Sequence, residues 1–142
     1  MVTLFDQGIK AVIARQIPAA ATIPLIPRVL SLTHVQNTGV AFGLFAGISP
    51  LITALAALTL LFFLFYNRGR WLGSRAIGAG IALMAGGAAG NLLDRVRLGF
   101  VVDYLDLHVW PVFNLADVAI VVGAGVLVLA LSRDGRPAHP RR

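Results

Sequence analysis

Two stretches of this chain are free of charge over a length that crosses a lipid bilayer. Pro50 to Tyr66 reads PLITALAALTLLFFLFY, and Ala76 to Leu93 reads AIGAGIALMAGGAAGNLL, where Asn91 is the one polar side chain. A hydrocarbon core about 30 Å thick needs roughly 17 to 25 apolar residues in a helix, so transmembrane helices are expected over 50–66 and 76–93. A third is expected over 113–131, from Phe113 through VAIVVGAGVLVLAL to Leu131, with Asn114 and Asp117 as polar residues of its first turns. Composition agrees: 13% of the residues are charged, against about 25% in a typical soluble domain. A mean hydropathy of +0.83 excludes an ordinary soluble domain and a disordered tail alike. The chain reads as a single integral-membrane domain over residues 1–142.

The net charge of +6 is an arginine charge, since Lys10 is the only lysine. In a soluble protein such a charge points to nucleic acid, but here the arginines bracket the apolar runs instead of forming a patch, and no nucleic-acid partner is expected. Arg68, Arg70 and Arg75 mark the connector, and Arg133, Arg136, Arg141 and Arg142 the tail, as cytoplasmic by the positive-inside rule. Residues before about 50, and the loop 94–112, then lie outside the membrane on the opposite face. Tyr66 and Trp71 near one interface, with Tyr104 and Trp110 near the other, fit the aromatic belts. The tail 132–142 is expected to be a flexible cytoplasmic end drawn to anionic lipid. Without cysteine there is no disulfide, thiol nucleophile or thiolate metal site.

Residues 21–47 change character, to a Pro-punctuated stretch followed by VLSLTHVQ and, after Asn37-Thr38-Gly39, VAFGLF. Two short strands about an Asn-Thr-Gly turn are expected. They would lie outside the membrane, because lipid does not tolerate an open sheet edge. The amino end, MVTLFDQGIKAVIARQI, lacks a signal-peptide layout and is too short and polar to span alone. Residues 1–17 are expected to be the remnant of a first helix whose apolar part is missing through a misassigned start; an in-frame stop codon directly before Met1 would refute this.

An Asp at the centre of a membrane helix costs about 2.5 to 3.5 kcal/mol on insertion scales, which makes intramembrane carboxylates functional candidates. Four of the six acids lie between Asp94 and Asp117, with Asp103 and Asp106 between them. Asn91, Asp94 and Arg95 share one helix face by their spacing, as do Asn114 and Asp117. For Asp94 with Arg95 the bland alternative is an interfacial ion pair or a helix-end clamp between spans. For Asp117 it is a helix-dipole partner worth about 0.3 to 1 kcal/mol, less than its insertion cost. Two carboxylates held close cannot both ionise and share a proton, so one can activate water while the other protonates a leaving amine. Asp103 and Asp117 are the best such pair, although spacing alone leaves Asp106 or Asp94 open in place of Asp103. His34, His108 and His139 are dispersed, and no metal site is expected. The serines show no G-x-S-x-G elbow. Gly86-x-x-x-Gly90 reads as helix packing.

Four blocks carry a further signal: Asn37-Thr38-Gly39-Val40-Ala41-Phe42-Gly43, GGAAGNLLDR from Gly86 to Arg95, VVDYLD from Val101 to Asp106, and FNLAD from Phe113 to Asp117. In this order they resemble the signature blocks of signal peptidase II, the lipoprotein signal peptidase, and Asp6-Gln7 with Lys10 is similar to that family's D-Q-x-x-K. The resemblance implies a membrane all-α bundle with a small extracytoplasmic β-cradle, here three clear transmembrane helices plus a truncated first helix. It implies an aspartic endopeptidase of the bacterial inner membrane acting on diacylglyceryl-modified prolipoproteins and cleaving before the lipidated cysteine. Asp103 and Asp117 map to the catalytic positions, and Asn37, Asn91, Asp94, Arg95 and Asn114 to supporting or substrate-binding ones. No metal or organic cofactor is implied, and the expected partners are the prolipoprotein and membrane lipid, with the chain a monomer. The alternative from another class is a small proton-coupled transporter or channel subunit, although its acids would sit near mid-membrane.

Overall fold

The structure, a computed structural model, describes residues 1–39, 49–67, 69 and 74–134. Four helices follow the apolar pattern: α1 (Val2–Gln16), α2 (Ser49–Asn67), α3 (Arg75–Leu98) and α4 (Leu115–Asp134). Three strands, β1 (Thr22–Ile26), β2 (Leu30–Asn37) and β3 (Val101–Asp106), form an antiparallel sheet in the order β1-β2-β3. Each predicted span is helical. By length and composition α3 and α4 are able to cross a membrane, whereas the apolar stretch of α2 is the shorter Ala54–Tyr66, so two of the three expected spans meet that measure.

The helices meet through glycine, and α3 uses two glycine faces for two neighbours. Gly80 and Gly87 face α4: a Cβ on Gly87 would collide with the Ala116 carbonyl oxygen and one on Gly80 with that of Gly123. Gly86 and Gly90 of the predicted packing motif face α1, beside Val2 and Asp6. The carbonyls left open by these glycines accept hydrogen bonds from α1, Thr3 Oγ1 to Gly86 O at 2.8 Å and Gln7 Nε2 to Gly90 O at 3.2 Å. Small residues thus bring polar backbone within reach of a neighbouring helix, the favoured association mode where lipid removes any hydrophobic drive.

The sheet differs from the expected hairpin. β2 is present, but its partners are β1 on one side, through a turn at Pro27 to Val29, and β3 on the other. The predicted strand after Asn37-Thr38-Gly39 lies outside the described residues, as do Arg68, Arg70, Trp71 and the tail from residue 135. The stretch 94–112, expected as a loop, holds the last turn of α3 and all of β3. α3 stops at Gly99, which takes φ 82 in the left-handed region and donates its N–H to Arg95 O, a C-terminal device that suits glycine. β3 then packs Val102 and Tyr104 against Ile13 and Ile17 at the end of α1. His34 Nδ1 lies 2.7 Å from the Ile17 carbonyl oxygen and ties β2 to the same helix end. Beyond β3 the chain returns through a bridge between Leu105 and Phe113, which delivers Asn114 to the start of α4.

Gly87→Val tests the α3–α4 contact. We expect it to lower the unfolding midpoint of the detergent-solubilised protein, by about 1–3 kcal/mol for overpacking, while Gly125→Ala, with nothing within 4 Å of the added Cβ, does not lower it.

Candidate active site

The site forms where α1 and α3 end and α4 begins. The first-turn N–H groups of α4 are the orphan donors of a helix start, and here each has a partner. Leu115 N donates to the Tyr104 hydroxyl at 3.1 Å and Ala116 N to Asp6 Oδ1 at 3.0 Å. Asp117 N donates to Asn114 Oδ1 at 3.0 Å, and Asn114 N donates back to Asp117 Oδ2 at 3.2 Å. This reciprocal pair is a capping box, so Asp117 does act at the helix start, with one oxygen. Its other oxygen, Oδ1, accepts from Asn91 Nδ2 at 2.7 Å.

Asn114 also reaches Asp103. Its Nδ2 lies 2.6 Å from Asp103 Oδ1, with Asn91 Oδ1 at 3.0 Å and Val102 O at 3.4 Å around the same amide. Asp103 Oδ2 accepts from Asn37 Nδ2 at 2.8 Å. That contact follows from the sheet register, in which Val35 pairs with Asp103 and Asn37 with Val101, leaving Asn37 diagonal to Asp103 on one face. All four carboxylate oxygens of Asp103 and Asp117 therefore hold one amide donor each, and both acids are bonded to the same residue, Asn114. Each oxygen keeps a second lone pair for water or substrate.

Asp103 and Asn114 are buried, and Asp117 is half-buried. Burial is the largest influence on Asp103 and pushes its carboxyl up from 3.8 to about 6, with the Asp117 charge adding to the rise and the Asn37 and Asn114 amides opposing it. Desolvation and a like charge are the conditions under which two carboxylates retain a single proton between them. Tyr104, pushed up to about 12 mainly by burial, stays a neutral hydroxyl at the start of α4.

The other acids are turned elsewhere. Asp94 pairs with Lys10 at 2.8 Å and accepts from Gln7 Nε2 at 2.7 Å and from Val102 N at 3.2 Å. Asp94 thus clamps α3 to α1 through Lys10, whereas among the described residues Arg95 forms no ion pair with it and lines a groove beside α2. Asp106 accepts from Thr33 Oγ1 and from His108 N, and the latter holds its carboxyl below the usual range. His108 also touches Ser31, with Nε2 3.1 Å from Oγ. Ser31 is 2% exposed, so this Ser-His-Asp alignment ties the loop to β2 and offers no accessible nucleophile. Among the described residues no cluster of three His, Cys, Asp or Glu side chains is able to hold a metal ion.

Sequence reasoning gave no site role to Asp6, Gln7 and Lys10. Lys10 Nζ stands 2.8 Å from Asp6 Oδ2, 2.8 Å from Asp94 Oδ2 and 2.9 Å from Asn91 Oδ1. The signal was present as an i,i+4 Asp-Lys pair set among the apolar residues of 1–17.

The model of the signal peptidase (SPase) II family matches residues 1–133. The chain belongs to the signal peptidase II family. Lipoprotein signal peptidase of Halothermothrix orenii is 43% identical over 131 residues, covering 92% of this chain and 90% of that protein. The Pelotomaculum thermopropionicum lipoprotein signal peptidase is 42% identical over 137 residues, covering 94% and 88%. Among solved structures, a bacterial membrane enzyme determined by the in meso method at 2.3 Å resolution superposes with a TM-score of 0.85 at 28% identity, covering 99% of this chain and 88% of that one. This is therefore a membrane protein of a peptidase family, and the transporter or channel reading finds no support.

Two outcomes test the site. Lys10→Ala leaves two buried carboxylates without their cation, so the unfolding free energy in detergent should fall by about 3–5 kcal/mol. The folded Asp103 carboxyl holds its proton up to about 6 and the unfolded one only to 3.8. The folded state therefore binds more protons between these values, and stability should decline as pH rises from 3.8 through about 6. Asp103→Asn should remove that part of the slope in thermal melts across this range.

Proposed function

We propose that this chain is a membrane-embedded aspartic endopeptidase that removes signal peptides from diacylglyceryl-modified prolipoproteins, cutting before the lipidated cysteine. The observation that supports the aspartic mechanism best is the joint hold of Asn114 on Asp103 and Asp117, with burial and the Asp117 charge favouring a proton on Asp103. In this mechanism one carboxylate takes a proton from water as the water oxygen attacks the scissile carbonyl carbon. The other, protonated, donates to the carbonyl oxygen. Collapse of the tetrahedral intermediate breaks the C–N bond, and a carboxyl proton passes to the leaving amine. No covalent enzyme intermediate forms.

Asn37, Asn91 and Asn114 orient the acids, and Asp94 with Lys10 fixes the backbone that carries them. In the same reading α2 joins α3 and α4 as a third span over 50–66. The sheet then lies on the extracytoplasmic side of the bacterial inner membrane, the carboxyl end is cytoplasmic, and the protein works as a monomer in contact with membrane lipid.

The test is cleavage of a diacylglyceryl-modified precursor peptide by the purified protein. Asp103→Asn and Asp117→Asn should each reduce product by at least 10³-fold, in the range expected when a group acting in concert with another is removed, with membrane insertion intact. Asp106→Asn should retain most activity. Full activity in either of the first two variants would refute the dyad.

A further inference from the structure

On the side of α1 and α3 away from α2, a cleft of about 250 Å³ opens where the two helices end. Lys10 and Asp94, both buried, stand among its lining with the exposed Arg15 and Arg97. Three cations thus face the cleft against one acid, and that acid already pairs with Lys10. Among the described residues neither Arg15 nor Arg97 has an ion pair or a hydrogen bond. Each arginine stands in the last turn of its helix, where a cation suits the helix dipole. The dipole does not require the two helices to turn their arginines to one cleft.

Height and charge select the ligand. The apolar run of α3 ends at Leu93, and Arg97 stands one turn beyond it, about 6 Å along the helix. The polar layer on each side of a bilayer's hydrocarbon core is roughly 5–7 Å deep, so Arg97 reaches the headgroups of the lipid around α3. Phosphate is the anion present at that depth, and a guanidinium matches its oxygens with a planar fork of donors. The excess of positive charge favours a headgroup that has a phosphate and no cation of its own, because an ammonium-bearing headgroup would bring its ammonium into the same field. Ala14 and Leu98 give the cleft apolar sides that suit glycerol carbons.

We propose that this cleft binds an anionic phospholipid, with the phosphodiester of its headgroup held between Arg15 and Arg97. The inference rests on the chain being a membrane protein and not on the peptidase mechanism, so its test reads binding and not cleavage. A lipid held there ties the ends of α1 and α3 together beside the Lys10 contact that joins them.

The experiment is isothermal titration of the full chain in a neutral detergent with dihexanoyl phosphatidylglycerol as the probe. Dihexanoyl phosphatidylcholine, glycerol 3-phosphate and inorganic phosphate are the comparison probes. Phosphatidylglycerol should bind one site per chain, roughly tenfold or more tighter than phosphatidylcholine, and Arg15→Gln/Arg97→Gln should weaken it roughly tenfold or more, as expected for lost hydrogen bonds between charged groups. Arg133→Gln/Arg136→Gln, which removes as many charges near the carboxyl end, should leave its affinity unchanged. Equal weakening by the two arginine pairs would overturn the proposal in favour of a general attraction of charge, and equal affinity for the two lipids would overturn it as well. Binding of inorganic phosphate or glycerol 3-phosphate as tight as that of the lipid would assign the arginines to a free anion and refute the lipid site. Ala14→Phe, which fills the cleft and keeps both arginines, should weaken phosphatidylglycerol binding and decides the matter should the arginine variant fail to fold; unchanged affinity in Ala14→Phe would place the lipid outside this cleft and refute the assignment.

Discussion

The Lys10 ammonium group, caught between the Asp6 and Asp94 carboxylates and the Asn91 amide oxygen, ties together α1, α3, β3 and α4 around the site. Asp6 passes from this contact to the start of α4 through Ala116 N, and Asp94 passes to the start of β3 through Val102 N. Asn91 joins Asp117 to the same cation. A buried ion pair is seldom worth more than the apolar packing that could replace it, yet removing one partner is expensive. Its value here is positional: two helix ends, a strand start and a helix start meet at one charge, and the two candidate catalytic acids stand on the strand and helix so placed.

The same economy of groups governs Asp117. A residue three positions into a helix is well placed to receive the preceding N–H, and the capping box uses one of its oxygens for that. In the proposed mechanism structural and chemical duty therefore share one carboxylate, and the helix start cannot shift without moving the acid. Asp103 experiences opposing pulls, with burial and a neighbouring charge favouring the proton and two amides favouring its departure. Such a balance costs stability, as sites built for reactivity commonly do.

The helices were legible because an uncharged run of bilayer length admits few other forms. The sheet was less so. β1 is exposed along its whole length and interrupted by Pro24, so it shows no alternation of apolar and polar side chains. β3 finds its partner β2 more than sixty residues back, a pairing that local patterns do not encode. The turn residues after Asn37 drew attention to a hairpin whose second strand lies outside the described residues, and away from the pairings of β2 with β1 and β3. Clustering of acids between Asp94 and Asp117 pointed to the region where Asn114 gathers Asp103 and Asp117, but spacing could not choose among Asp94, Asp103 and Asp106. Tertiary contacts separate them, since Lys10 claims Asp94, and Thr33 with His108 claims Asp106. Lys10 itself escaped notice as a site residue because its three partners lie on two helices.

The left-handed turn at Gly99 leaves only Phe100 before β3 begins at Val101. Side chains alternate along a strand, so Asp103 looks toward Asn37 and Asn114 while Val102 and Tyr104 look toward Ile13 and Ile17. One residue gained or lost in that short link would turn the acid into the greasy wall and present a valine or tyrosine to the asparagines. The link is a ruler, and the count of peptide bonds along it belongs to the proposed chemistry as much as the carboxyl group does.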